Sequence, residues 1–161
     1  MRDLSTLLIK AARLPAVTAD NSDRITTICD MGNCESAVAI VEFEYTTDSV
    51  TDLAFWTSSS DTCGVAGTEQ TDTTNTVQVS ITSDADGLQG WNGNTQITNL
   101  AVASDRITSL AQDGVVAVAL PNIRRFLFGQ YNNAGTGSTL GITFIGQDGG
   151  PNTSEGPRSA Y

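Results

Sequence analysis

Residues 37–45 read AVAIVEFEY, and a period of two in that stretch decides the fold class. In an extended chain Ala37, Ala39, Val41, Phe43 and Tyr45 share one face, while Val38, Ile40, Glu42 and Glu44 share the other. The first face is apolar throughout. The second begins apolar and ends in two carboxylates, which predicts a half-buried strand whose Glu42 and Glu44 lie at a solvated strand edge. The alternation recurs on either side. In residues 75–81 (NTVQVSI), Val77, Val79 and Ile81 alternate with polar residues, and in 138–145 (STLGITFI), Leu140, Ile142 and Phe144 do the same. Residues 114–120 (GVVAVAL) and 126–128 (within RRFLFGQY) are apolar on both sides. Each reads either as a central strand or as a strand with one face in a partner interface, and periodicity does not separate the two. Weaker strands over 24–29, 53–57 and 95–102 bring the total to about eight.

The connecting segments carry turn chemistry: CDMGNC at 29–34, SSSDTCG at 58–64, SDADG at 83–87, WNGN at 91–94, YNNAGTG at 131–137 and QDGGPN at 147–152. One helical turn is expected over 104–113, with Ser104 as N-cap, Ile107, Leu110 and Ala111 on one face and Gly114 as the stop. Many short strands, polar turns and almost no helix predict an all-β chain: a jelly-roll-like antiparallel β-sandwich over residues 24–146. Residues 1–23 form an N-terminal arm, because the apolar stretch at 7–9 is stopped by Lys10, Arg13 and Pro15 before it reaches signal-peptide length. Residues 147–161, rich in Gly, Pro and Ser, form a flexible C-terminal tail.

Composition removes several classes of function. The 161 residues include 8 basic and 18 acidic side chains, a net charge of −10, which is the wrong sign for a phosphate-tracking nucleic-acid binder. No run is apolar enough to form a membrane helix. The chain has no histidine, so imidazole bases and His-containing zinc sites are excluded. Cys29, Cys34 and Cys63 read as small buried apolar residues, with a Cys29–Cys34 pair open in an oxidising environment. Asp84-Ala85-Asp86-Gly87 fails the calcium-loop pattern at both ends, so no metal and no cofactor are expected. Gly135-Thr136-Gly137 precedes a strand and is not a phosphate cradle. Glu42 and Glu44 are neighbours on one strand face, not a pair placed across a substrate. No catalytic residue emerges, and the chain reads as a protein-binding module, not an enzyme. Trp91, among glycines and asparagines, is a candidate exposed ligand aromatic. Arg124 and Arg125 either balance local acids or meet a carboxylate-bearing partner.

The order of these features resembles the capsid decoration, or cement, proteins of tailed bacteriophages, in particular the jelly-roll cement type of short-tailed phages. A short arm leads to AVAIVEFEYTTDSVTDLAFWTSSSD, a strand, a turn and a second strand ending in a polar loop. The likeness is closest over 107–131 (ITSLAQDGVVAVALPNIRRFLFGQY), where a Gly opens an apolar strand closing at Leu120-Pro121, and Arg125-Phe126 open the next strand. STLGITFIGQDG resembles the final strand. The cysteines and the tail after Gly146 depart from the pattern. The resemblance implies a structural virion protein on the outer capsid surface, a homo-oligomer (dimer or trimer) clamping neighbouring major capsid subunits, with no contact to nucleic acid or membrane. Leu4, Leu7, Leu8 and Arg13 in the arm, Arg124 and Arg125, and Tyr161 in the tail are the expected contacts. The alternatives are a carbohydrate- or receptor-binding sandwich such as a head fibre, and a tail or connector component.

Overall fold

The computed structural model describes residues 7–12, 23–44, 50–82, 88–97, 100, 102–108, 113–133 and 139–148. These hold thirteen strands and no helix: β1 (Leu7–Ala12), β2 (Asp23–Ile25), β3 (Cys29–Asp30), β4 (Cys34–Glu44), β5 (Val50–Ser58), β6 (Thr76–Gln78), β7 (Leu88–Asn92), β8 (Thr95–Ile97), β9 (Val102–Ala103), β10 (Arg106–Ile107), β11 (Gly114–Leu120), β12 (Phe126–Asn133) and β13 (Thr139–Asp148). All pairings are antiparallel. One sheet runs β1-β13-β4-β11-β7-β8; the other runs β2-β12-β5-β10-β9, with β3 also on β12 and β6 also on β5.

The frame is β1-β13-β4-β11 packed on β2/β3-β12-β5-β10. Along the chain these strands alternate between the sheets except at β5 and β10, which are neighbours in the second sheet; this is the double Greek key order of a jelly roll. The β7–β8 hairpin widens the first sheet beyond β11. The period-two reading of residues 37–45 holds along β4: Ala37, Ala39, Val41 and Phe43 are buried. They join Val116, Val118, Leu120, Ile142 and Phe144 of the same sheet and Leu53, Phe55, Leu127 and Tyr131 of the other in one core. At its centre the Phe55 and Phe144 rings meet edge-on, 6.1 Å apart at 78°. Such a geometry adds about 1 kcal/mol beyond area burial.

Four sequence expectations change. First, β4 is a central strand between β13 and β11, so Glu42 and Glu44 do not guard an edge. Second, Ser104 does not cap a helix and Ile107 lies in β10; residues 109–112 of the expected turn lie outside the described residues. Ser104 and Asp105 both have positive φ (53° and 60°) and link β9 to β10, with Ala103 opposite Arg106. A two-residue hairpin needs that left-handed pair to match strand twist, and it overrides the i, i+3, i+4 spacing of the apolar residues. Third, the strand expected over 24–29 is split, because the Gly129 N–H donates to the buried Thr26 Oγ1 (3.0 Å) in place of a backbone carbonyl. Fourth, the sandwich is longer than its expected bounds: β1 lies in the supposed arm, and β13 runs to Asp148.

Two measurements test this packing. A Cβ at Gly114 would lie 2.7 Å from the Trp91 carbonyl oxygen and 2.8 Å from Ile97 Cδ1, whereas one at Gly141 meets nothing within 4 Å. Gly114→Ala should therefore cost about 1–3 kcal/mol in urea unfolding, and Gly141→Ala should leave the midpoint unchanged or raise it slightly. Replacing Ser104-Asp105 by Asn-Gly should raise the melting temperature by about 2–4 °C, because Asn and Gly adopt positive φ at least cost.

Candidate functional site

The two sheets differ on their outer faces. Behind β12 and β5, Ile25, Cys63 and Phe128 form a second buried cluster with Ile28 and Trp56 against it. The connection after β5 seals this face. Its backbone pairs with the edge strand, Ile25 N–H to Thr68 O and Gly67 N–H to Ile25 O, each at 2.9 Å. The two-sided apolar run in β12 is thus satisfied within the chain.

The two-sided run in β11 is not satisfied in that way. Its outward residues continue across the first sheet in register. Ile9, Ile145, Val38 and Ala119 form one row. Ala11, Thr143, Ile40, Ala117 and Gln89 form the next. Gly141, Glu42, Val115, Trp91 and Gln96 form the third. Ile9 is 62% exposed, Val115 40%, and Val38 and Trp91 39% each. Among the described residues nothing covers this face, and its first two rows carry no charged side chain. Strand spacing and rise give the three rows a footprint of about 500 Å². The two uncharged rows make up about 300 Å² of it, the lower end of the range for the largest apolar patch on an ordinary monomer, a class of patch that is often functional. At its acidic end Glu42, Glu44, Val115 and Gly141 border a shallow open trough of about 590 Å³.

The expected site residues are scattered relative to this face. Leu4, Arg13 and Tyr161, with Asp84 and Asp86, lie outside the described residues. Leu7 stands opposite Gln147 in the β1–β13 ladder. Leu8 packs half-buried against the core, pointing away from the open face. Trp91 sits on β7, not in a loop, and faces outward beside Val115. Arg124 and Arg125 precede β12 on the other sheet. Arg124 donates to the Asn75 carbonyl (3.0 Å). Arg125 grips Asp30 with two hydrogen bonds, Nε to Oδ1 at 3.1 Å and an NH2 nitrogen to Oδ2 at 2.8 Å, and lies over the Phe126 ring at 5.2 Å. The carboxylate that meets Arg125 is the chain's own. Ile9, Ile145, Val38 and Ile40 are the face residues that sequence reasoning left out. Val38 and Ile40 were visible as the apolar start of the second face of residues 37–45, but the register that joins them to Ile9 and Ile145 across three strands was not.

The rest of the surface shows little chemistry. Among the described residues no three His, Cys, Asp or Glu side chains come together as metal ligands. Cys29, Cys34 and Cys63 are buried and not joined in disulfides. Burial pushes the Cys29 and Cys63 thiols up from their ordinary range, against a smaller opposing pull from Lys10 on Cys29 and from a Ser58 hydrogen bond on Cys63. Both stay protonated and weakly nucleophilic at neutral pH. Compared with known protein families, curated proteins and solved structures, the chain matches none.

The Asp30–Arg125 pair has a definite pH signature. The hydrogen bond from Arg125 holds the Asp30 carboxyl below its ordinary value. A depressed carboxyl stabilises the fold above its unfolded pKa, and that stabilisation is lost as pH falls through the folded one. A double-mutant cycle of Asp30→Asn and Arg125→Met, read by urea unfolding, should show a favourable coupling at pH 7 that fades below about pH 4. A coupling independent of pH would remove the ion pair as its source.

Proposed function

We propose that the chain is a structural virion protein that docks on the outer surface of a capsid and ties neighbouring major capsid subunits together. The apolar face of β1, β13, β4 and β11, uncovered among the described residues and uncharged in two of its three rows, carries this reading. A sandwich already sealed on its other side has no folding use for a second dry face, and exposed apolar surface of this kind marks association. A footprint of about 500 Å² falls short of the roughly 800 Å² per partner found in stable complexes. Single copies therefore bind weakly, and strength comes from many copies on one lattice. The jelly-roll strand order agrees with the resemblance to phage cement proteins. The net charge of −10 suits a position away from packaged DNA. The partners in this reading are the major capsid protein and further copies of the chain, with no cofactor. Trp91, outward-facing beside Asn92 and Gln96, supports a second reading in which the face stacks a sugar ring.

Quantitative electrophoresis of purified particles of the encoding phage, with the major capsid protein as standard, tests the proposal. Copies in the hundreds per particle, reduced at least tenfold by Ile40→Glu, are the expected outcome. About a dozen copies would move the protein to a vertex or tail. Absence from particles, with a melting temperature raised by a glycan mixture, would favour the sugar reading.

A further inference from the structure

The apolar face is polarised, and that polarity specifies its partner. Two of its three rows are uncharged, while the third carries Glu42, with Glu44 next outward on β4 and opposite Thr139. Both glutamates are exposed. The trough beside them is bordered by Val115 and by Gly141, and a Cβ built on Gly141 meets no atom within 4 Å. Val115 of β11 lines the trough on one side, and Glu42 and Glu44 of β4 bring carboxylates to it. An aliphatic stem can lie along Val115 while its cationic head reaches Glu42 and Glu44, the way Arg and Lys bury their stems and keep their heads charged.

We propose that this face docks a protein surface whose apolar centre is bordered by a basic side chain, and that this side chain seats in the Glu42/Glu44 trough. The inference rests on the reading that the face docks a protein, and it adds the partner's chemistry. Charge complementarity selects such a surface over a second copy of the chain. A second copy brings the same carboxylates and the same net charge of −10, so long-range repulsion opposes face-to-face pairing. A basic-bordered partner is drawn in by the same field. The apolar rows supply contact area, and the acidic end fixes which way round the partner sits, since a reversed partner leaves its cation over Val38 and Ile145, away from Glu42.

The probe is a pair of capped tripeptides, acetyl-Val-Arg-Val-amide and its citrulline counterpart, which has nearly the same shape without the charge. Both are titrated into the isotope-labelled full chain and followed by amide chemical shifts. The arginine peptide should shift the amides of Glu42, Glu44, Val115 and Gly141 at least about threefold more than the citrulline peptide at equal concentration. That preference should disappear in Glu42→Gln and shrink at 0.5 M salt. Gly141→Leu, which fills open space, should abolish both sets of shifts while the protein stays folded. Equal shifts from the two peptides, or shifts centred elsewhere, overturn the inference. Co-sedimentation with capsid shells separates this from the functional reading. Wild-type binding to shells that is unchanged in Glu42→Gln and Gly141→Leu keeps the capsid function and removes the basic-partner inference. An arginine preference at the trough without shell binding keeps the inference and removes the capsid.

Discussion

The structure depends on one constraint: side chains on a strand alternate, so each sheet has two faces to satisfy. The inner faces satisfy each other. Ala39, Val41, Val116, Val118, Ile142 and Phe144 from one sheet meet Leu53, Phe55 and Leu127 from the other in a single core. Everything else follows from how the two remaining faces are treated. The chain spends the connection after β5 on one of them, bringing Cys63 over Phe128 and tying Gly67 and Thr68 to Ile25. Among the described residues it spends nothing comparable on the other.

That asymmetry separates folding from binding. Residues of the sealed face are held by the chain itself, so changes there read out as stability. Residues of the open face hold little in place, so changes there weigh less on stability. Val38, Val115 and Ile9 cost the isolated protein an unfavourable exposed surface, and an outside surface that removes this exposure recovers what the fold leaves unused. Arg125 shows the opposite case. A basic residue that reads as an interface candidate is consumed by Asp30 and Phe126 within the fold.

The legible part of this protein was whatever depends on local alternation. The inward set of β4 follows from AVAIVEFEY, and the inward sets of β11 and β13 follow from GVVAVAL and STLGITFI. The two-sided character of β11 and β12 was also plain, but the sequence alone left open, for each, whether its outer face is covered within the chain. Only the position of residues 59–75 separates them, and that position is a long-range fact. Ser104-Asp105 misled for a local reason. The apolar spacing of Ile107, Leu110 and Ala111 suits a helix, but the chain needed a two-residue reversal at that point. Leu8 misled for the reverse reason: in an arm it reads as free to bind, yet pairing with β13 turns it inward.

The β1–β13 ladder sets how the molecule responds to force. The two strands are antiparallel, with Leu7 opposite Gln147, so the chain enters β1 and leaves β13 at the same end of the ladder. A pull applied through the residues before β1 and after β13 loads one rung at a time, as a zipper is drawn, and the seam yields at low tension. A load spread over the outer face of β4 and β11 instead acts on strands paired on both sides, with many rungs sharing it at once. The sandwich thus yields readily when pulled apart at its β1–β13 seam and resists a load spread over its open face.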